Sequence, residues 1–326
     1  MKIFTLCLLT ASVGLSQASA GESSQNPSHQ NGDYLSEPAD QSEQSLVSVP
    51  VLNFGRQNEY SLLPGYAFGN MRYSHTFEAD YKSSDGSLSA KEVALFTPIL
   101  PINMGDWHGL VFINYRGTQY DSPNQPLVPD HTLHSVSMPI ALLYDGFDDW
   151  LIGGVFTPGY TGDFRGSTSD GMSYWAAAAA GYSFGPQFNF YAGAFYSKGL
   201  MDDFFMPGIG FNYRPCRDVE IYLLPPFAGV TYSPAERWIL SLAGSFDSKT
   251  STVQSKDGLP DRNVSVYGLK AGLRVEHHLY SKAWVYGYAG YHFARNVDIE
   301  DLDGVTLLES ELEAAPFIDF GFNLRF

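Results

Sequence analysis

The last ten residues constrain this chain more than any other stretch. From Phe317 to Phe326 it reads FIDFGFNLRF, with Ile318, Phe320, Phe322, Leu324 and Phe326 on the even positions. Asp319, Gly321, Asn323 and Arg325 occupy the odd ones. Period-two alternation places the two sets on opposite faces of a β-strand. So heavily apolar and aromatic a face is too greasy for the water side of a soluble sheet. It suits contact with lipid, with the other face against a wet or hydrogen-bonded interior. The alternative, a closing strand of an ordinary soluble sheet, has to be weighed against the rest of the chain.

The other end agrees with a lipid setting. Lys2 precedes an apolar run from Ile3 to Leu15, and Ala18-Ser19-Ala20 follows. That is the order of a secretory signal peptide, and it predicts cleavage after Ala20. Cys7 lies inside the apolar run, so the exported chain keeps Cys216 alone and has no internal disulfide to rely on. No later stretch approaches the roughly 20 consecutive apolar residues of a membrane helix. The expected fold is therefore all-β: a transmembrane antiparallel up-and-down β-barrel. Thirty-two Gly, 21 Tyr and 23 Phe suit close-packed strands with aromatic girdles. The formal charge of −16 excludes nucleic acid as a partner, because phosphate recognition needs clustered Lys and Arg.

Three regions follow: a signal peptide over 1–20, a polar periplasmic leader over 21–58, and the barrel over 59–326. The leader is too poor in aromatic residues to fold alone. Its apolar patch from Leu46 to Phe54 would let it plug the lumen. Alternation predicts strands near 65–79, 88–98, 107–120, 131–145, 150–162, 172–183, 187–198, 204–214, 218–225, 227–233, 237–248, 263–279, 283–295 and 315–326. That is about 14 strands, falling to 12 if the Pro225-Pro226 pair breaks the hairpin over 218–233. Connections alternate between short and long, which places the short ones on the periplasmic side. Trp107, Trp150, Trp238 and Trp284 each follow a short connection, where indole suits the headgroup level, so they are expected to form a periplasmic aromatic girdle.

Asp319, Gly321, Leu324 and the terminal Phe326 resemble the C-terminal assembly signal of bacterial outer-membrane β-barrels. Pro225-Pro226-Phe227-Ala228-Gly229-Val230-Thr231-Tyr232-Ser233-Pro234, with Trp238 after it, is similar to an outer-membrane barrel family known only as a domain of unknown function. The similarity runs from about Leu63 to Phe326. It implies the outer membrane of a Gram-negative cell, with membrane lipid, lipopolysaccharide and the barrel assembly machinery as partners. It implies no catalytic residue and no substrate.

Read literally, the alternation turns Arg72, Glu78, Glu92, Arg116, Lys270, Arg274, Glu276, Asp319 and Arg325 toward the lumen, with Arg214, Glu220 and Asp247 beside them. A one-sign ring would indicate an ion-selective pore. A mixed set favours a paired network, because an unpaired charge in a confined interior is expensive. The expected function is a porin-like channel for small solutes, since about 14 strands enclose more room than side chains fill. A structural or surface-interaction barrel is the first alternative, and an outer-membrane lipid hydrolase the second.

The enzyme reading has thin support, and the chain is expected to be no enzyme. The eight His residues sit in no Ser–His motif, and His131-x-x-His134 is half a metal site without further ligands. No metal and no cofactor are expected. The acidic segment from Asp298 to Glu313 fails as a calcium loop, because Ile299 would hold its first position. It reads as a solvated loop, with bridging to lipopolysaccharide through divalent ions as the alternative.

Overall fold

The computed structural model describes residues 61–325 except 148, 166–169, 199–202 and 255–258. The expected signal peptide, the leader with its possible plug, and Phe326 lie outside the described residues. The strands are β1 (Ala67–Asp80), β2 (Ser87–Met104), β3 (Trp107–Asp121), β4 (Leu133–Ser137), β5 (Ile140–Tyr144), β6 (Trp150–Gly162), β7 (Met172–Ser183) and β8 (Phe188–Lys198). They continue as β9 (Phe204–Cys216), β10 (Val219–Leu224), β11 (Phe227–Ala235), β12 (Trp238–Val253), β13 (Arg262–Tyr280), β14 (Ala283–Asp301), β15 (Thr306–Leu312) and β16 (Ala315–Arg325).

Apart from β4–β5 and β15–β16, strands adjacent along the chain pair antiparallel, and β16 closes the ring between β14 and β1. Phe320 lies opposite Tyr73 on one side and Gly287 on the other. Closure removes the free edges, so every strand in the ring has its backbone partners inside the wall, as lipid demands. β4 and β5 are two halves of one stave, both between β3 and β6, broken at Met138-Pro139. Pro139 has no N–H to give to a ladder, yet its carbonyl still accepts from Phe112 N at 2.8 Å. β15 pairs with β14 beyond the ring. The wall therefore has fourteen staves. The Pro225-Pro226 pair does not break its hairpin but forms its turn, and β10 and β11 pair with each other and with their outer neighbours.

The outward face is the apolar one. Met71, Tyr73, Ile209, Leu242, Leu273 and Phe320 are all exposed. Trp107, Trp150 and Trp238 are exposed where short turns end, tilted against Tyr144, Tyr182 and His277 of the neighbouring strand. Trp284 departs from the expected girdle. It is only 4% exposed and stacks on His278 at 4.9 Å. The reason is register: Trp284 lies opposite His278, and Tyr286 lies opposite Glu276, so the even positions of β14 point inward here.

The segment expected to be an acidic loop is partly sheet. β14 runs on to Asp301 and folds back as β15. Val297, Ile299 and Leu312 are buried, while Asp298 lies opposite Glu309 and Asn296 opposite Glu311. The acidic residues thus share one face of a hairpin whose other face is core.

Candidate functional site: the barrel lumen

Inward-facing side chains divide the lumen into zones. One side wall, from β1 across β3 and β5 to β6, is apolar, with Phe68, Leu110, Phe112, Leu143 and Leu151 all buried. At the short-turn end of β9 and β10, Arg214 lies 3.3 Å from Glu220 and donates to the Pro186 carbonyl at 3.1 Å. Tyr66 also donates to Glu220, at 3.3 Å, and accepts from Asn212. Opposite, Arg325 reaches Glu276 at 2.8 Å and Asn323 adds a second donor at 2.9 Å.

The long-loop end of the lumen is sealed by hydrocarbon. Leu88, Tyr120, Leu133, Val253, Val266 and Val297 pack into one buried cluster with Ile299 and Leu312. Polar contacts between loops lie over it. Arg262 Nε donates to the Leu127 carbonyl at 2.7 Å. Asp163 accepts from the Gln254 N–H at 3.2 Å and faces His131 Nε2 at 3.3 Å. Thr252 of β12 pairs in parallel with Gly162 of β6, although β7 to β11 separate these strands along the wall. A polar cavity of ≈ 380 Å³ beside this clamp is lined by His131, Arg165 and Arg262. The short β10–β11 hairpin leaves the wall low at one point, and an apolar cavity of ≈ 590 Å³ lies beside its Pro225-Pro226 turn.

Between the seal and the short-turn end runs a ladder of charge. Lys249 Nζ reaches Glu92 at 2.6 Å and Asp247 at 3.3 Å, and Lys270 meets Asp247 at 3.3 Å. Arg72 pairs with Glu92, and Asp319 accepts from Ser74. Arg274 approaches Glu276 at 3.0 Å, with its guanidinium 3.8 Å from the centre of the Tyr286 ring. Most of the charges expected to face inward are thus brought together as a paired set. Arg116 faces the same way, opposite Ser135 on β4. Glu78 does not join the network. A β-bulge between Thr76 and Ala79 breaks the alternation, and Glu78 ends exposed, accepting from Ser87.

Lys249 and Arg295 are inward charges that sequence reasoning missed. Lys249 continues the inward row of Ser245 and Asp247 past the expected end of its strand, and Arg295 is 1% exposed on the outer half of β14. Of the assembly-signal residues, Gly321 allows a close approach: a Cβ there would lie 2.5 Å from both the Met71 carbonyl and Tyr286 Cε1. Leu324 packs over Gly69. No hydrogen bond joins a His ring to a Ser hydroxyl among the described residues, and none of them form a metal-ligating cluster.

No known protein family matches the sequence, and no curated protein matches it. Solved structures similar to the chain include the KdgM porin, with 7% identity and a TM-score of 0.31, covering 79% of this chain and 99% of that one. Another is the Pseudomonas putida toluene transporter TodX, with 8% identity and a TM-score of 0.35 over 79% of this chain and 89% of that one. A third is the COG4313 outer membrane channel from Pseudomonas putida F1, with 10% identity and a TM-score of 0.42 over 82% and 98%.

Proposed function

We propose that this barrel is a channel for small solutes in the bacterial outer membrane, gated at its outer mouth. One observation carries the reading: the middle of the lumen is accessible to water. Side chains on the inward rows there keep real exposure, 31% for Arg72, 27% for Arg274 and 20% for Asp247. A lumen packed solid would bury them, as the periplasmic pair Arg214 and Glu220 is buried at 0% and 2%. The wall is also wide enough, since eight strands already make a barrel that side chains just fill and this one has fourteen staves. Cleavage after Ala20, export and membership of the outer-membrane family of unknown function belong to the same reading. So do insertion by the barrel assembly machinery and contact with lipid and lipopolysaccharide. Nothing in it calls for a catalytic step.

The apolar cluster under the loops favours a second reading, a structural barrel with no open pore. Single-channel recording of the purified barrel in a planar bilayer separates the two. Discrete conductance steps are expected, brief and infrequent because the seal must part for each one. A barrel that stays silent, also after removal of residues 21–58, overturns the channel reading.

A further inference from the structure

We infer that the channel prefers anions, with Arg72 and Arg274 making the direct contact in the middle of the lumen. The inference rests on the channel reading and names its substrate class: small anionic solutes, with carboxylate or phosphate as the chemical group recognised.

The lumen's charges differ in depth as well as in sign. Its carboxylates are covered: Glu92 is 2% exposed and Glu276 is 4%, while Asp319 is also buried. Their cationic partners reach into the open space, with Arg72 at 31% and Arg274 at 27%. A solute crossing this zone meets guanidinium first and carboxylate behind it. Asp247 is the accessible acid, and two ammonium groups, Lys249 and Lys270, already lie 3.3 Å from it. Arg295 adds a further buried cation above the zone, with no hydrogen-bond partner for Nε and Nη1 among the described residues. The lumen is therefore cationic inside a chain whose formal charge is −16. Within a narrow low-dielectric tube such a field concentrates counter-ions.

The two arginines also have donors to spare. Arg72 uses Nη2 on Glu92, and Nη1 has no partner among the described residues. Arg274 meets Glu276 through Nε, and its terminal amino groups have no partner among the described residues. Its plane is braced on the Tyr286 ring. A held guanidinium with free terminal N–H groups presents the fork that matches a carboxylate or phosphate. Tyr286 lies opposite Gly321 on β16, which lies opposite Arg72 on β1. Arg72 and the Tyr286 that braces Arg274 thus share one register row across three neighbouring strands.

The test is the reversal potential of the full-length barrel in a planar bilayer under a KCl gradient. Chloride permeability above that of potassium is expected. Arg72→Gln and Arg274→Gln should each lower the ratio, and the double variant should bring it to one or below. Neither change strands a carboxylate: Glu92 keeps Lys249 at 2.6 Å, and Glu276 keeps Arg325 at 2.8 Å. Heat-modifiable migration on gels checks that each variant has folded. A potassium-selective wild type, or a ratio that neither substitution moves, overturns the inference while leaving a channel. A silent barrel removes the channel reading alone, and calorimetric titration with citrate in detergent then decides the site. Heat of binding that disappears in the double variant supports it, and a wild type without binding heat overturns it.

Discussion

The buried pair at the short-turn end of β9 and β10 allows a sharp energetic test. Arg214 is 0% exposed at its side chain and Glu220 is 2%, with Nη2 to Oε1 at 3.3 Å. Two ions taken out of water each carry a desolvation cost of several kcal/mol, offset here by their attraction and by the Pro186 carbonyl and Tyr66 hydroxyl bonded to them. Glu220→Leu removes the anion and leaves the guanidinium in the same dry place. The expected loss is about 3–5 kcal/mol. Arg214→Met combined with Glu220→Leu should recover most of it, because no stranded charge remains and the replacement side chains fill similar volume. Urea unfolding in detergent micelles, followed by tryptophan fluorescence, reads all four corners of the cycle. Loss in Glu220→Leu below about 1 kcal/mol, or a double variant as unstable as the single, refutes the premise that the pair is dry and mutually dependent.

Asp163 fastens the outer mouth, accepting the Gln254 and Arg165 N–H groups and facing His131. Its replacement by Ala should cost the closed arrangement about 2 kcal/mol, and recordings should show open time rising by an order of magnitude or more. Unchanged open time would mean that the seal is held by its hydrocarbon alone. In the sequence, Phe326 follows Ile318, Phe320, Phe322 and Leu324 at alternate positions. Its deletion should leave barrel stranded in the periplasm, read by fractionation, and unchanged membrane levels would count against the assembly-signal reading.

Much of the wall was legible because the signal is simple. A lipid face and an aqueous face impose the same period-two pattern on every stave, and fourteen expected segments match fourteen staves. What escaped lay where that pattern shifts phase or changes meaning. Glu78 keeps the parity of Arg72 and Ser74, but the bulge after Thr76 inserts a residue and parity stops predicting direction. Trp284 has the position of a girdle Trp in the repeat, yet its register opposite His278 turns it inward. Lys249 lies one residue past the expected end of its strand at 248, yet it continues the row of Ser245 and Asp247.

The outer end shows why composition misleads beyond the membrane. There the outside of the wall is water and the inside is a packed plug, so the polarity of the two faces reverses. Asp298 and Glu300 lie on one side of β14, while Val297 and Ile299 alternate with them on the buried side. A reader who expects polar residues inward and apolar residues outward sees an acidic loop. Alternation without regard to polarity finds the strand. The same reversal marks the level of the proposed gate, where inward residues change from Lys249, Asp247 and Lys270 to Val253, Val266 and Val297. On the channel reading, a solute on the charged ladder meets hydrocarbon there, and the loops fastened by Asp163 and Arg262 must part before it can go further.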